Sequence, residues 1–270
     1  MDSRTIPRYR VPTRPSQVGQ APFPMCLTSE AMETLLATVG NQQPESGAKG
    51  FGPPEKIGID VVEFDTLGSR SASYGMYSPD TRWGDERCNY WLNRPDDDMR
   101  LWTADCHSHP GSSGYPSSKS GKAMGDLGYV EEVFAANESM QYFLMPILTI
   151  DGKSDQVTIW PWVISRDNPG SPLWADLCIC SVADFPDRIF NPLWEAAIRD
   201  TDASMPSEIL AGVPDAAIMP DDLEETGTTN SPASQPQSDD IKYDLLVGVA
   251  VIAFVALAIA LALKGRGDEQ

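Results

Sequence analysis

The sequence predicts an α+β or mixed domain built around a β-sheet. Segments 27–40 and 126–140 have helical periodicity, and the stretches between and after them are apolar or alternating. A chain order of helix, strands, helix and strands is typical of helices that pack against a sheet. The four predicted strands lie at 56–65, 100–110, 140–150 and 156–164.

The elements have recognisable boundaries. Segment 27–40, LTSEAMETLLATVG, has a Ser/Thr cap, a Glu in its first turn and a closing Gly. Segment 100–110, RLWTADCHSHP, is typical of a strand that ends at a Pro-Gly turn. The second helix has Asp126 near its start.

Size and charge limit the classes of function. The chain has 270 residues, 41% of them hydrophobic, which is enough for one folded domain with appendages and excludes global disorder. Its 39 Asp and Glu against 20 Lys and Arg give a net charge of −19. Such a charge repels phosphate backbones, so we expect no nucleic-acid partner.

Composition divides the chain into five regions. A Pro- and Arg-rich basic arm, 1–23, is expected to be disordered, and the folded domain is expected at 24–200. Residues 201–242 are predicted to be an acidic, disordered linker rich in Pro, Ser and Thr. One C-terminal transmembrane helix is predicted at 243–264, and 265–270 form a short polar tail.

The membrane prediction depends on the stretch LLVGVAVIAFVALAIALAL at 245–263, which contains no charged side chain. At about 1.5 Å per residue, such a helix nearly matches a hydrocarbon core of about 30 Å. Because the N-terminus has no signal-peptide pattern, we expect a tail anchor that holds the folded domain in the cytosol. Lys264 and Arg266 follow the helix, and by the loop-charge rule they favour the opposite orientation.

The five cysteines are too few and too irregularly spaced for a disulfide framework, and their odd number favours free thiols in a reducing compartment. Cys178 and Cys180 are a candidate metal-binding pair, but alternate residues of an apolar strand share one face in any case. Plain packing is the favoured interpretation.

The only two histidines of the chain are His107 and His109. On a strand their rings leave the same face and can converge on one ion. Neutral imidazoles suit Zn²⁺, and a catalytic tetrahedral site needs one further protein ligand, for which a carboxylate of the following segment is the natural candidate.

Two motifs, in this order, resemble the JAB/MPN metalloprotease family. Residues 44–52, PESGAKGFG, resemble the family's Pro-Glu-x-Gly-Gly turn and glycine-ended strand. The stretch CHSHPGSSGYPSSKSGKAMGDLGYVEEV resembles its His-x-His-Pro, its Pro-Ser and its Asp at the head of a helix. The resemblance spans about residues 27–165. It implies an MPN/JAB-like fold, in which helices flank a twisted mixed sheet.

The resemblance also implies a catalytic zinc site. In it His107, His109 and Asp126 are the Zn²⁺ ligands. Glu45 is the general base, and Ser117 stabilises the developing oxyanion. Together these groups suit hydrolysis of an amide bond.

The chain departs from the family pattern in two places. The family has Ser-x-x-Asp, whereas Asp126 follows Ser117 by nine positions, so that 118–125 form an insert. Ala48 replaces the second Gly of the turn, and Lys49 follows where the family prefers an apolar residue.

Alternatives exist for some of these roles. Ser118 and Ser120 are alternative oxyanion donors, and Glu63 is an alternative base. Asp105 shares the strand face of His107 and is a candidate to orient its ring, the alternative being exposure to solvent.

The expected function is that of a membrane-tethered zinc isopeptidase or endopeptidase. The resemblance implies a ubiquitin-like protein or its conjugates as the substrate, cleaved near the C-terminus of that protein. One alternative is a catalytically inactive MPN-like interaction module. Another is a membrane-anchored scaffold that binds peptides, which leaves the histidine pair unexplained.

Overall fold

The computed structural model describes residues 8–41, 45–72, 77, 79–109, 113–118, 124–150 and 156–197. Within these ranges no helix has the length and apolar character needed to cross a membrane. The expected linker at 201–242, transmembrane helix at 243–264 and tail at 265–270 lie outside the described residues.

The strands form two sheets. In chain order they are β1 (Arg8–Arg10), β2 (Met25–Leu27), β3 (Gly47–Gly52), β4 (Val61–Phe64), β5 (Leu101–His109), β6 (Tyr142–Ile150), β7 (Gln156–Ser165), β8 (Leu173–Trp174) and β9 (Leu177–Ile179). The main sheet has the order β1-β7-β6-β5-β3-β4, with β8 also paired to β7, and β2 pairs with β9 in a second sheet. The pairs β5–β6 and β1–β7 are parallel and the other pairs of the main sheet are antiparallel, so that sheet is mixed.

Helices accompany the main sheet. They are α1 (Ser29–Ala37), α2 (Thr66–Ser71), α3 (Thr81–Leu92) and α4 (Gly125–Ala136), with a short helical turn at 192–197 and 3₁₀ turns at Val39–Asn41, Asp96–Asp98 and Val182–Asp184. This architecture confirms the predicted α+β class with helices flanking a mixed sheet.

The main sheet separates two hydrophobic cores. Along β6, Leu144 and Leu148 belong to the core that contains α1, whereas Met145 and Ile147 belong to the core that contains α4. Because successive strand side chains point to opposite faces, the two helices cover opposite faces of the sheet. A polar residue of the central strands therefore faces one helix or the other.

Helix α1 begins as its sequence predicts. The Thr28 hydroxyl accepts a hydrogen bond from the Ala31 N–H and caps the helix. The regular helix ends at Ala37, and the predicted segment continues as the 3₁₀ turn.

The segment predicted as one strand at 56–65 is regular only in β4. The chain before β4 instead bonds to the second sheet and its continuation, through the N–H of Ile59 to the Cys26 carbonyl and of Ile57 to the Pro186 carbonyl. Ile57 and Ile59 are fully buried there, which explains the alternating pattern without a regular strand.

The expected disordered arm at 1–23 requires a correction for its described part. Residues 8–10 form β1 at the edge of the main sheet, and the Arg10 Nε donates to the Thr158 hydroxyl. Ala21 and Phe23 are buried in the α1 core. These contacts, which join positions far apart in sequence, offset the ordering entropy that the polar composition alone cannot offset.

Helix α3 was not predicted. Asp80 caps it by accepting from the Trp83 N–H, but its only buried residue is Gly84, so the sequence lacks an apolar stripe. The helix is placed instead by tertiary contacts, among them Trp91 against the ring of the buried Phe51.

The close approach of β3 and β5 yields a stability prediction. A Cβ on Gly50 would lie 2.8 Å from the Ala104 Cβ, so Gly50→Ala should lower the free energy of unfolding by roughly 1–3 kcal/mol, despite the lower entropy of its unfolded chain. The double variant Gly50→Ala/Ala104→Gly should recover part of this loss. Urea unfolding of both, with Ala104→Gly as the control, tests the coupling, and purely additive effects would contradict the contact.

Candidate metal centre

The two histidines lie at the end of β5. They are two positions apart, so both rings leave the sheet on one face. His107 is in register with Ile147 of β6, which packs in the α4 core, so this face is the one that α4 covers. His107 is buried and His109 is half-buried.

Helix α4 places Asp126 against both rings. The Oδ1 atom lies 3.3 Å from the His107 Nε2, and the Oδ2 atom lies 3.5 Å from the His109 Nε2. The two Nε2 atoms are 3.1 Å apart. All three residues offer ligand atoms within 4.8 Å of one another, and together they could hold a metal ion.

A backbone carbonyl orients the His109 ring. The His109 Nδ1 lies 2.9 Å from the Ser113 carbonyl oxygen, which can only accept a hydrogen bond. Nδ1 therefore carries the proton, and Nε2 is unprotonated when the ring is neutral, so it is available as a metal ligand.

Ser117 and Asp126 bind each other across the insert. The Ser117 N–H donates to the Asp126 Oδ2 at 2.6 Å, and the Asp126 N–H donates to the Ser117 Oγ at 2.9 Å. These two reciprocal hydrogen bonds resemble a capping box at the start of α4. The longer spacing of nine positions therefore still brings Ser117 and Asp126 together.

The start of α4 also requires a glycine. Gly125 has φ +65°, and a Cβ there would lie 2.6 Å from the Ser118 carbonyl oxygen. The chain can therefore close tightly over the residues beside Ser117 only with Gly at this position.

Glu45 is held beside the histidines by a buried pair of serines. The Ser46 N–H donates to the Ser108 hydroxyl at 3.0 Å, and the Ser108 N–H donates to the Ser46 carbonyl at 2.9 Å. Glu45 is 9% exposed and interacts electrostatically with His107 and His109. Sequence reasoning missed this clamp, although Ser108 is the middle residue of the His-x-His motif.

The alternative residues lie elsewhere or make no contact here. Glu63 is on β4 and accepts a hydrogen bond from the Trp91 indole at 3.1 Å. Ser118 is exposed, and Ser120 lies outside the described residues. Of the two candidate bases, the structure brings Glu45 to the histidines.

The charged forms of His107 and Asp126 stabilise each other. Burial by itself lowers the pKa of His107, but the carboxyl groups of Asp126, Asp105 and Glu45 together outweigh burial, and the net shift is upward. Burial raises the pKa of Asp126, but both histidines and the Ser117 N–H outweigh it, and the net shift is strongly downward. In the absence of metal the folded protein therefore favours a protonated His107 beside an ionised Asp126.

The pKa of Glu45 shifts upward, in the opposite direction to that of Asp126. Burial raises the pKa of Glu45, and the attraction of His109 and His107 and the N–H of Tyr77 only partly oppose this rise. A carboxyl group whose pKa is raised towards neutrality can both take and return a proton.

Beneath the site lies a buried polar cluster, of which the sequence indicated the unusual Lys49 and the candidate orienting residue Asp105. Asp105 is buried, and Tyr129 of α4 hydrogen-bonds to it. Lys49 is in register with Asp105, interacts with it electrostatically, and holds its Nζ 3.6 Å from the centroid of the Trp102 ring. Gly84 of α3 leaves room for the Lys49 side chain. Asp105 is thus not exposed to solvent, and it lies close enough to raise the pKa of the neighbouring His107.

Comparisons with known proteins identify no family for the chain. No protein-family model matches it, and no curated protein matches it. One similar solved structure is the solution structure of protein DSY2949 from Desulfitobacterium hafniense, with a TM-score of 0.41 and 15% sequence identity. The similarity covers 58% of this chain and 93% of that chain. At this level it supports no argument about fold or function.

The raised pKa of Glu45 yields a pH prediction for the metal-free protein. A carboxyl group with a raised folded pKa contributes stability below its unfolded pKa, and this stability is lost as the pH rises through the folded pKa. Glu45→Gln should therefore be more stable than the unsubstituted protein at pH 7, and the difference should vanish below about pH 4.

Thermal unfolding in the presence of a chelator, across this pH range, measures the difference. Glu63→Gln is the matched control and should show no such gain, because its carboxylate accepts the Trp91 N–H. A Glu45→Gln variant that is less stable at every pH would contradict the assigned environment.

Proposed function

We propose that the chain is a zinc-dependent amide hydrolase with a JAB/MPN-like fold. The observation that carries this proposal is the convergence of His107, His109 and Asp126 on one point, with Glu45 held beside them. Two elements on one face of the sheet contribute the three ligand atoms, and a third segment contributes the acid. Such an arrangement combines a metal site with a proton-transfer group.

The three residues fit zinc. Zinc–nitrogen and zinc–oxygen bonds of about 2.0–2.2 Å in a tetrahedron separate neighbouring ligand atoms by about 3.3–3.6 Å. In the structure, the Nε2 atoms lie 3.1 Å apart, and the distances from these atoms to the carboxylate are 3.3 and 3.5 Å. Three protein ligands leave the fourth position open, as in catalytic sites. Bound zinc supplies Lewis acidity that makes water an effective nucleophile near neutral pH.

Glu45 moves the protons of the reaction. As a carboxylate it takes a proton from the attacking water, and as the neutral acid it returns this proton to the nitrogen of the leaving amine. The raised pKa of Glu45 suits a group that must be present in both forms during one turnover. Its position is maintained by the hydrogen bonds between the buried Ser46 and Ser108.

Ser117 stabilises the oxyanion and holds a ligand in place. Its Oγ accepts the Asp126 N–H, which leaves the hydroxyl hydrogen free to donate to a carbonyl oxygen that is becoming negative. Its own N–H stabilises the ionised form of Asp126. Loss of Ser117 should therefore affect catalysis and ligand geometry together.

The proposal includes a substrate and a location. The family resemblance points to an amide bond at the C-terminus of a ubiquitin-like protein, and the net charge of −19 disfavours nucleic acid. The apolar stretch at 245–263 is proposed as a single C-terminal membrane anchor, with the domain on the cytosolic side. An anchor of this kind raises the effective concentration of the enzyme for membrane-bound conjugates.

The first test of the proposal combines metal content with activity. The full chain should bind one equivalent of zinc, and His107→Ala or Asp126→Ala should retain less than roughly a tenth of it. Glu45→Gln should retain the zinc but lose at least about 100-fold in hydrolysis, because only proton transfer is removed. The substrate is a ubiquitin-like protein with a fluorogenic amide at its C-terminus, and zinc is measured by elemental analysis.

The controls separate the alternatives. Glu63→Gln should keep both zinc and activity. Stoichiometric zinc without hydrolysis of any ubiquitin-like amide would support a non-catalytic interaction module instead. Unchanged zinc content in His107→Ala would reject the metal site itself.

The role of Ser117 generates a separate prediction. Ser117→Ala should lower kcat by roughly 10²–10³-fold, since it removes an oxyanion donor, and should lower the stability of the start of α4 by about 1 kcal/mol. Ser117→Thr, which keeps a hydroxyl group, should recover part of both.

The exposed Ser118 is the matched control, and Ser118→Ala should behave like the unsubstituted enzyme. Steady-state kinetics and thermal unfolding of the three variants provide the comparison. If Ser118→Ala is impaired and Ser117→Ala is not, the oxyanion donor is the neighbouring serine.

A further inference from the structure

Three of the five cysteines meet in the second sheet, far from the candidate metal centre in sequence. Cys26 lies in β2 and Cys178 in β9, where the two are in register. Cys180 follows β9 directly, and its N–H donates to the Leu27 carbonyl at 2.9 Å. The favoured interpretation of Cys178 and Cys180 as plain packing residues did not include Cys26 as a partner.

The contact between Cys26 and Cys180 is unusually close. Their Sγ atoms are 2.8 Å apart, although 154 positions separate the residues. This is less than the sum of two sulfur van der Waals radii, and a further approach of about 0.8 Å reaches the disulfide bond length of about 2.05 Å. The two backbones are already joined by hydrogen bonds on either side, so little movement is needed.

We propose that Cys26 and Cys180 form a reversible disulfide that joins the N-terminal and C-terminal parts of the domain. The pair is a modification site, independent of the proposed hydrolase. The oxidant is a peroxide or a small-molecule disulfide such as oxidised glutathione, and a dithiol reductant reverses the reaction.

The two sulfurs have different roles in the reaction with peroxide. Cys180 is half-exposed and reacts first: a sulfur–oxygen bond forms, the peroxide bond breaks, and water leaves. Cys26 is 1% exposed, and burial is the largest cause that raises its pKa to about 12, so it remains a protonated thiol until then. Its sulfur attacks the Cys180 sulfenic acid, its proton leaves with the hydroxyl group as a second water, and the disulfide forms. The two thiols lose two electrons and two protons in total.

A metal site is the competing interpretation of the same cysteines. Cys178 interacts with Cys180, and Asp184 lies close enough to influence Cys26. However, among the described residues the only set of three or more His, Cys, Asp or Glu close enough for one ion is the His107 set. The structure therefore favours a bond between two sulfurs over coordination by three.

The disulfide would close a loop that contains most of the described domain. Such a long loop removes much entropy from the unfolded chain, so oxidation should raise the Tm by roughly 5–15 °C, and reduction should reverse the rise. Cys26 lies two positions before Thr28, the cap of α1, so the bond also anchors the start of that helix.

The experiment uses the full chain, with one sample fully reduced and another treated with hydrogen peroxide or oxidised glutathione. Thiol titration after denaturation should fall from five to three, and peptide mapping without reductant should find a Cys26–Cys180 bridge. Cys178→Ser should still form the bridge and the Tm rise, whereas Cys180→Ser should form neither. Because these readouts do not use hydrolysis, they are independent of the proposed enzyme function.

Three outcomes would overturn the proposal: five thiols in every redox buffer, a bridge that contains Cys178, or zinc that is lost in Cys178→Ser. Cys180 is the substituted position because it is half-exposed and tolerates serine more readily than the buried Cys26. If Cys180→Ser nevertheless fails to fold, the peptide map of the unsubstituted protein still decides between the outcomes.

Discussion

The pairing of β5 with β3 and β6 is the interaction on which the remaining structure depends. Strand β5 is antiparallel to β3 and parallel to β6, so it lies inside the sheet and its backbone is bonded on both sides. Because side chains alternate, Ala104 and Cys106 join the α1 core while His107 points to α4. One strand thus provides both the hydrophobic interior and the candidate site.

The candidate site tolerates its charged groups because most of them are compensated by neighbours. Charged groups removed from water are costly unless they are paired, and Asp126 is compensated by two imidazoles and the Ser117 N–H. Glu45 is compensated less completely, and the Oδ1 atom of the buried Asp105 has no hydrogen-bond partner within the part of the chain that the structure describes. Incomplete satisfaction of this kind is typical of functional sites, where stability is lost in favour of chemistry.

The two ends of the described domain are joined in the second sheet. Strand β2 pairs with β9, and the chain before β4 bonds to both the Cys26 carbonyl and the Pro186 carbonyl. Helix α1 therefore emerges from a region that is held by residues more than 150 positions away, as the Cys26–Cys180 separation of 154 shows. The sheet that carries the site and the sheet that joins the ends share the α1 core, to which Met25, Leu27 and Leu144 all belong.

The sequence by itself determined the elements whose signal is local. The cap and apolar spacing of α1, the alternation of β5 and the pair of histidines on one strand face are all read within about ten residues, since hydrogen bonding and side-chain direction repeat at short range. The order of the motifs also led to Glu45, Ser117 and Asp126. Only the tertiary structure decided the contacts between residues that are far apart in the sequence. It placed Glu45 and not Glu63 beside the histidines, and it brought Ser117 to Asp126 across nine positions. It also paired β1 with the edge of the sheet and brought Cys26 to Cys180. These contacts depend on loop closure and strand pairing between remote segments, and neither periodicity nor composition encodes them.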